Sequence, residues 1–153
     1  KATKVAGLIG TQTFNYEVED SASVIFELDN GAFCYVDSNF NIPDAAAKCR
    51  LEIYGTRGSM LAEGTLGQVE GGKLDVLLSD DTLGYDAQQD RVDVSPIEIE
   101  VEFGNMYTKE IESFCNSILN GAKLEVPVED ALQVQKVIEA AYESSETGKF
   151  VTV

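Results

Sequence analysis

Residues 97–103 read Ile97-Glu98-Ile99-Glu100-Val101-Glu102-Phe103, and residues 111–119 read Ile111-Glu112-Ser113-Phe114-Cys115-Asn116-Ser117-Ile118-Leu119. In the first stretch apolar and acidic residues alternate, the period of a strand with one greasy face. In the second, Ile111, Phe114, Cys115, Ile118 and Leu119 fall three and four apart, the stripe of an amphipathic helix. The periodicity switches between these two stretches, and the chain on each side keeps its own period.

Toward the N-terminus the pattern is that of strands. Ala22, Val24, Phe26 and Leu28 alternate with Ser23, Ile25 and Glu27, and Asp29-Asn30-Gly31 then supplies residues that tolerate a tight reversal. Phe33-Cys34-Tyr35-Val36 is the returning strand. Cys49, Leu51 and Ile53 alternate with Lys48, Arg50 and Glu52, and Gly55-Thr56-Arg57-Gly58 turns the chain into Ser59-Met60-Leu61-Ala62. Leu74, Val76 and Leu78 form a further strand. Residues 79–95, with five Asp, two Gln and Gly84, are expected to be a mobile loop.

Toward the C-terminus the pattern is helical. Asn105 can cap the first helix and Asn120-Gly121 stops it. Val134, Val137, Ile138, Ala141 and Tyr142 give the second helix its stripe, with Pro127 at its entrance and Gly148 at its exit. Residues 150–153 look like a short closing strand. Strands first and helices last predict an α+β fold: an open, mostly antiparallel β-sheet with two C-terminal helices packed on one face. No internal repeat and no linker divides residues 1–153, which read as a single domain.

Composition narrows the function. At 153 residues, 44% hydrophobic and 25% charged, the chain can bury a core without staples. Asp and Glu number 27 against 11 Lys and Arg, a formal charge of −16. Such a surface repels phosphate backbones and anionic lipid, so no nucleic acid and no membrane is expected as a partner. No run approaches the roughly twenty apolar residues of a membrane span, and the first residues carry no basic-then-apolar leader. The chain starts at Lys1 rather than Met and enters a strand pattern at once, as a cut piece of something longer would. Cys34, Cys49 and Cys115 are odd in number and irregularly spaced, with Cys49 and Cys115 in apolar stripes. They are expected to be free core thiols in a reducing, cytoplasmic compartment.

Chemistry-bearing patterns are few. Val5-Ala6-Gly7-Leu8-Ile9-Gly10 imitates the opening of a dinucleotide fold, but only G-x-x-G is present, and the Thr11-Gln12-Thr13-Phe14-Asn15-Tyr16 that follows suits extended chain. Gly55-Thr56-Arg57-Gly58-Ser59 lacks the Lys of a phosphate loop and reads as a hairpin turn. Asp80, Asp81, Asp86, Asp90 and Asp93 lack the spacing of a calcium loop and read as a solvated acidic stretch. Glu98, Glu100 and Glu102 mark a face turned to water. They would resist burial against a second copy unless basic groups met them, Lys48 and Arg50 being candidates if their strand is adjacent. Histidine is absent, which removes the commonest general base and metal ligand. From the residues alone the chain is an acidic α+β domain with no self-contained active site: no catalytic residue, no cofactor-binding residue and no metal ligand is assigned to it.

Three ordered segments resemble the C-terminal domain of the glucose–fructose oxidoreductase/inositol dehydrogenase/MocA (Gfo/Idh/MocA) family. Residues 19–32, Glu19-Asp20-Ser21-Ala22-Ser23-Val24-Ile25-Phe26-Glu27-Leu28-Asp29-Asn30-Gly31-Ala32, are similar to its D-x-A-x-V-x-x-x-F-x-N-G-A hairpin. Leu51-Glu52-Ile53-Tyr54-Gly55-Thr56-Arg57-Gly58-Ser59 resembles its E-I-x-G-T-x-G-S turn. The tail follows, with Tyr107, Glu110 and Phe114 on one helix. The next opens with Val128-Glu129-Asp130-Ala131-Leu132 and closes with Tyr142-Glu143-Ser144-Ser145-Glu146-Thr147-Gly148-Lys149. The matching positions are mostly backbone-geometry and core positions, so they speak for fold before activity.

The resemblance implies a dihydrodipicolinate reductase-like C-terminal domain serving substrate binding and oligomerisation in an NAD(P)-dependent oxidoreductase of sugars, polyols or related hydroxy compounds. In that family a Rossmann domain holds NAD or NADP and supplies Glu-Lys-Pro, and catalytic Asp and His lie just before the region matched here. This chain has no G-x-G-x-x-G, no Glu-Lys-Pro and no His, so the fragment alone is expected to be inactive. By position the loop from Ser38 to Lys48 faces substrate, with Asn39, Asn41, Asp44 and Lys48 as its polar groups. Ala45-Ala46-Ala47 stand where some inositol dehydrogenase-like members have tyrosines, which argues against inositol. The expected partners are the chain's own N-terminal Rossmann domain, a small hydroxylated substrate and further copies through the sheet face. The alternative is a stand-alone, non-catalytic α+β interaction module; a hydrolase built on carboxylates lacks any supporting constellation.

Overall fold

The computed structural model describes residues 1–67, 70–79, 94–99 and 101–153. They form two compact units, Lys1–Ala47 with Leu124–Val153, and Lys48–Lys123. Neither crossing between units carries a Gly/Ser/Pro-rich run, so composition does not announce the division.

The first unit contains β1 (Ala2–Gly10), β2 (Ser21–Leu28), β3 (Phe33–Asn39), helix α2 (Val128–Thr147, the later of the two helices) and β8 (Val151–Thr152). Its sheet runs β3-β2-β1-β8, every pair antiparallel. The Asp29-Asn30-Gly31 reversal forms as expected, with Leu28 N–H donating to the Ala32 carbonyl at 2.9 Å and Ala32 N–H to Asn30 Oδ1 at 3.1 Å. The core is Val5, Ala140 and Ala141, flanked by Ile9, Val24, Phe26, Val137, Val151 and Val153. The stripe of α2 thus meets the odd-numbered face of β1.

Gly7 makes that meeting close. A Cβ placed there would lie 2.8 Å from the Ala141 carbonyl oxygen, a backbone atom that cannot swing aside. The glycine that imitates a nucleotide loop is instead the seat of a helix. Beyond Val5, β1 pairs with no strand on its β8 side among the described residues. There the Gly7 N–H donates to Ser144 Oγ at 3.1 Å and the Ile9 N–H to Ser145 Oγ at 3.0 Å. The Ser145 hydroxyl in turn donates to the Ile9 carbonyl at 3.3 Å.

The second unit holds β4 (Arg50–Gly55), β5 (Gly58–Glu63), β6 (Lys73–Leu78), β7 (Ser95–Ile97) and α1 (Met106–Asn120). Its sheet runs β4-β5-β6-β7, again antiparallel. At the β4–β5 turn, Gly58 has φ +152°, and a Cβ there would stand 1.9 Å from the Leu77 carbonyl oxygen. Only glycine lets β6 come alongside. Asn105 caps α1 as expected, its Oδ1 accepting from the Thr108 N–H at 3.0 Å.

The α+β class, the antiparallel pairing and the two C-terminal helices hold. The strands, expected in one open sheet, are distributed over two four-stranded sheets. The break follows β3, where Pro43 lacks a ladder donor and residues Asp44–Ala46 wind into one 3₁₀ turn. Of the helices, α2 buries Ala140, Ala141 and Ser144, whereas α1 buries no residue.

Among the described residues, the strand expected over residues 97–103 pairs with β6 only at Ser95–Ile97. Continuing that register would set Glu98 opposite Asp75, and like charges directly opposite destabilise a ladder. Arg50 makes no ion pair with Glu98 or Glu102, the described members of the glutamate row: it lies on β4, at the other edge of the sheet from β7, and binds Glu63 at 2.8 Å. Glu100 and most of the 79–95 stretch, including Asp80, Asp81, Asp86, Asp90 and Asp93, lie outside the described residues. The three thiols are free, but Cys49 and Cys115 are exposed rather than in a core. Cys115 sits on α1, none of whose residues is buried among the described residues, and Cys49 just precedes edge strand β4.

Gly7→Ala should destabilise the chain by about 1–3 kcal/mol, the usual cost of overpacking against backbone. Ser144→Ala should cost about 1 kcal/mol through its lost hydrogen bond. Urea unfolding followed by circular dichroism checks both, as lowered midpoints at an unchanged slope.

Candidate functional site

Strand register gathers polar groups at one end of the first unit's sheet. Gly10 stands opposite Ser21, and Ser21 opposite Asn39, so the end of β1, the start of β2 and the end of β3 coincide. The Ser21 hydroxyl donates to Asn39 Oδ1 at 2.9 Å, and Asn39 Nδ2 donates to Asp37 Oδ2 at 3.0 Å. The Ser23 hydroxyl completes the row, donating to Asp37 Oδ1 at 2.8 Å.

Loop 11–19 spans the same end, and Asp20 organises it. The Asp20 N–H donates to the Gly10 carbonyl at 3.1 Å and the Thr11 hydroxyl to the Val18 carbonyl at 2.7 Å, closing the loop at its base. Asp20 Oδ1 accepts from the Gln12 N–H at 2.8 Å. Its Oδ2 accepts from the N–H groups of Thr13 at 2.8 Å and Phe14 at 2.9 Å. The residue is 2% exposed. Its carbonyl also accepts from the Phe40 N–H at 2.9 Å, and Asn41 Nδ2 donates to Thr13 Oγ1 at 3.1 Å. Asp20 therefore ties the chain after β1 to the chain after β3.

Burial works against the Asp20 charge, yet the N–H groups of Gln12, Phe14 and Thr13 outweigh it and hold the carboxyl below its ordinary 3.8. Beside it the Tyr142 hydroxyl donates to Glu19 Oε1 at 2.5 Å, anchoring the loop to α2. That hydrogen bond lowers the Glu19 pKa and raises that of Tyr142. Burial, then the charges of Asp20 and Glu19, raise the Tyr16 phenol.

Of the residues expected to face substrate, Asn39 and Asn41 are half-buried and share this end of the sheet. Asp44 is exposed and opens the 3₁₀ turn. Lys48 is exposed and begins the second unit. Asp20 was not among them; its signal in the sequence is an acid set between a polar loop and an apolar strand. Among the described residues no three His, Cys, Asp or Glu side chains gather to hold a metal ion.

The family model for the oxidoreductase family's C-terminal alpha/beta domain, Gfo/Idh/MocA, matches residues 3–153. The chain belongs to this family. Solved oxidoreductases share the fold of this Gfo/Idh/MocA domain. Aldose-aldose oxidoreductase from Caulobacter crescentus, complexed with glycerol, is 20% identical with a TM-score of 0.77, over 100% of this chain and 42% of its own. The WlbA dehydrogenase of Bordetella pertussis, in complex with NADH and UDP-GlcNAcA, is 14% identical with a TM-score of 0.67, over 99% and 40%. An Agrobacterium radiobacter oxidoreductase in complex with NAD+, L-tartaric acid and magnesium is 16% identical with a TM-score of 0.69, over 99% and 43%. The domain thus spans about two fifths of the length of these structures. No curated protein matches it.

Asp20 has a signature in acid. A carboxyl whose pKa is depressed by folding stabilises the fold fully above the unfolded value, and that stability is lost as pH falls through the folded one. Asp20→Asn should lower the urea midpoint at pH 7, because an amide offers one acceptor oxygen where two are used. The gap from wild type should narrow as pH drops below about 3.8.

Proposed function

We propose that this domain is the substrate-binding and oligomerisation part of an NAD(P)-dependent oxidoreductase that acts on a sugar, polyol or related hydroxy compound by hydride transfer. Cofactor and catalytic groups come from an N-terminal Rossmann domain outside residues 1–153, and the domain by itself is inactive. The observation that carries this reading is the fate of the one glycine-rich strand. A dinucleotide site needs a helix N-terminus aimed at the pyrophosphate just after the first strand. Here β1 runs into the Asp20 loop, is paired antiparallel to β2, and has α2 backbone seated on Gly7. The residues present do not fit a nicotinamide dinucleotide, so no step of its chemistry is assigned to them.

The neighbours' complexes with NADH, NAD+, glycerol and a nucleotide sugar support the class of reaction. Asn39 and Asn41, with Asp44 and Lys48, are the proposed substrate-facing groups. The proposed association surface is the open face of β1–β3, where Leu8, Ile25, Phe33 and Tyr35 are exposed. Free thiols and the absence, among the described residues, of a helix long and apolar enough to cross a membrane are compatible with a cytoplasmic protein.

Fluorescence titration of the chain with NADH should show no saturable binding; saturation would overturn the reading of β1. Sequence upstream of Lys1 should carry a Rossmann fingerprint, then Glu-Lys-Pro and an Asp/His-bearing helix. The intact protein should reduce NAD+ or NADP+ in the presence of a sugar or polyol. A start codon directly before Lys1 would favour the interaction-module alternative.

A further inference from the structure

Loop 11–19 combines a strongly braced backbone with side chains that are mostly exposed. Exposed loops ordinarily leave their backbone N–H groups to water. Here three consecutive N–H groups converge on one carboxylate that is 2% exposed. Yet residues 11–16 are all exposed, so the bracing serves no core. It fixes an aromatic pair: Phe14 and Tyr16 are stacked, their centroids 5.6 Å apart and planes 24° from parallel, with 44% and 38% of their surfaces in solvent. A stacked pair leaves one face of each ring uncovered by the other. Next to it the Asn41 amide holds Thr13, and its carbonyl oxygen has no partner among the described residues.

We propose that this braced loop and the adjoining Phe40-Asn41 turn are a subsite for an uncharged sugar ring. The free face of Tyr16, backed by the stacked Phe14, gives a flat apolar platform for its C–H face, and Asn41 and Thr13 give hydrogen-bonding groups for its hydroxyls. Asp20 is the positioning residue, holding the platform in its binding geometry before the ligand arrives. The charge of the loop selects among hydroxylated ligands. Residues 11–20 contain Glu17, Glu19 and Asp20 and no Lys or Arg, so the loop itself repels a sugar acid and offers it no counter-ion. The inference rests on the substrate-binding reading above and narrows its ligand class to neutral rings.

Amide NMR of the isotope-labelled chain, titrated with D-glucose, tests it. Shifts concentrated at residues 12–16 and 39–41, weakened in Tyr16→Ala and in Asn41→Ala, are expected; L-tartrate should not reproduce them. No glucose-dependent shifts at these residues, shifts elsewhere instead, or an equal response to tartrate would overturn the proposal. Phe14 and Tyr16 are exposed, so their truncation leaves the core untouched, and the amide spectrum itself reports whether each variant is folded. In the intact oxidoreductase, Tyr16→Ala should raise KM for a neutral sugar about ten-fold with kcat within about two-fold. Asp20→Glu, which keeps the charge, should retain more of the wild-type KM than Asp20→Asn. Sugar-dependent reduction of NAD(P)+ with an unchanged KM in Tyr16→Ala sinks the subsite and leaves the domain reading intact. Glucose shifts at the loop in a protein that never reduces NAD(P)+ uphold the subsite and sink that reading.

Discussion

Helix α2 rests on β1 backbone to backbone, and the first unit is organised around that contact. It exists because residue 7 has no side chain to hold the Ala141 carbonyl away. With the helix that close, Ala140 and Ala141 fill the space over Val5, and short hydroxyls reach main-chain groups that a longer gap would leave to water. The same seating brings Tyr142 to Glu19, and so joins the helix to the residue next to Asp20. A packing contact in the middle of the strand therefore bears on the geometry of the loop at its end, through a chain of direct contacts rather than through flexibility.

What the sequence discloses is what neighbouring residues decide among themselves. The hairpin at Asn30-Gly31, the turn at Gly55 to Gly58, the Asn105 cap and both helices are local, and each stands where composition and period place it. The division into two sheets is not local. The connection from β3 to β4 passes through a turn, Pro43 and a 3₁₀ turn, and which strands then pair is decided by partners far apart in the chain. β7 stops at Ile97, where one more step of the register would bring Glu98 opposite Asp75, a clash that period alone does not reveal. Two cysteines in apolar stripes proved exposed because a stripe predicts a face, not that something covers it.

The candidate site divides in the same way. Asn39 and Asn41 could be named from their position in the chain, and register then sets them beside Ser21 and Thr13. Asp20 was legible as a motif residue but not as a function. Its carboxylate acts on the N–H groups of Gln12, Thr13 and Phe14, and main-chain donors have no letter in a sequence. The missing histidine and the −16 charge needed no structure at all.

The serine hydroxyls on the outer rim of β1 have one more consequence. A strand whose amides face solvent is a template on which a second chain can add, and so a seed for aggregation. The two-residue β8 guards only the first part of that rim. Over Gly7 and Ile9 the task falls to Ser144 and Ser145, which occupy the amides without offering a continuing ladder. The helix thus acts as a stopper as well as a lid: it ends the sheet on that side and denies an incoming strand its first hydrogen bonds.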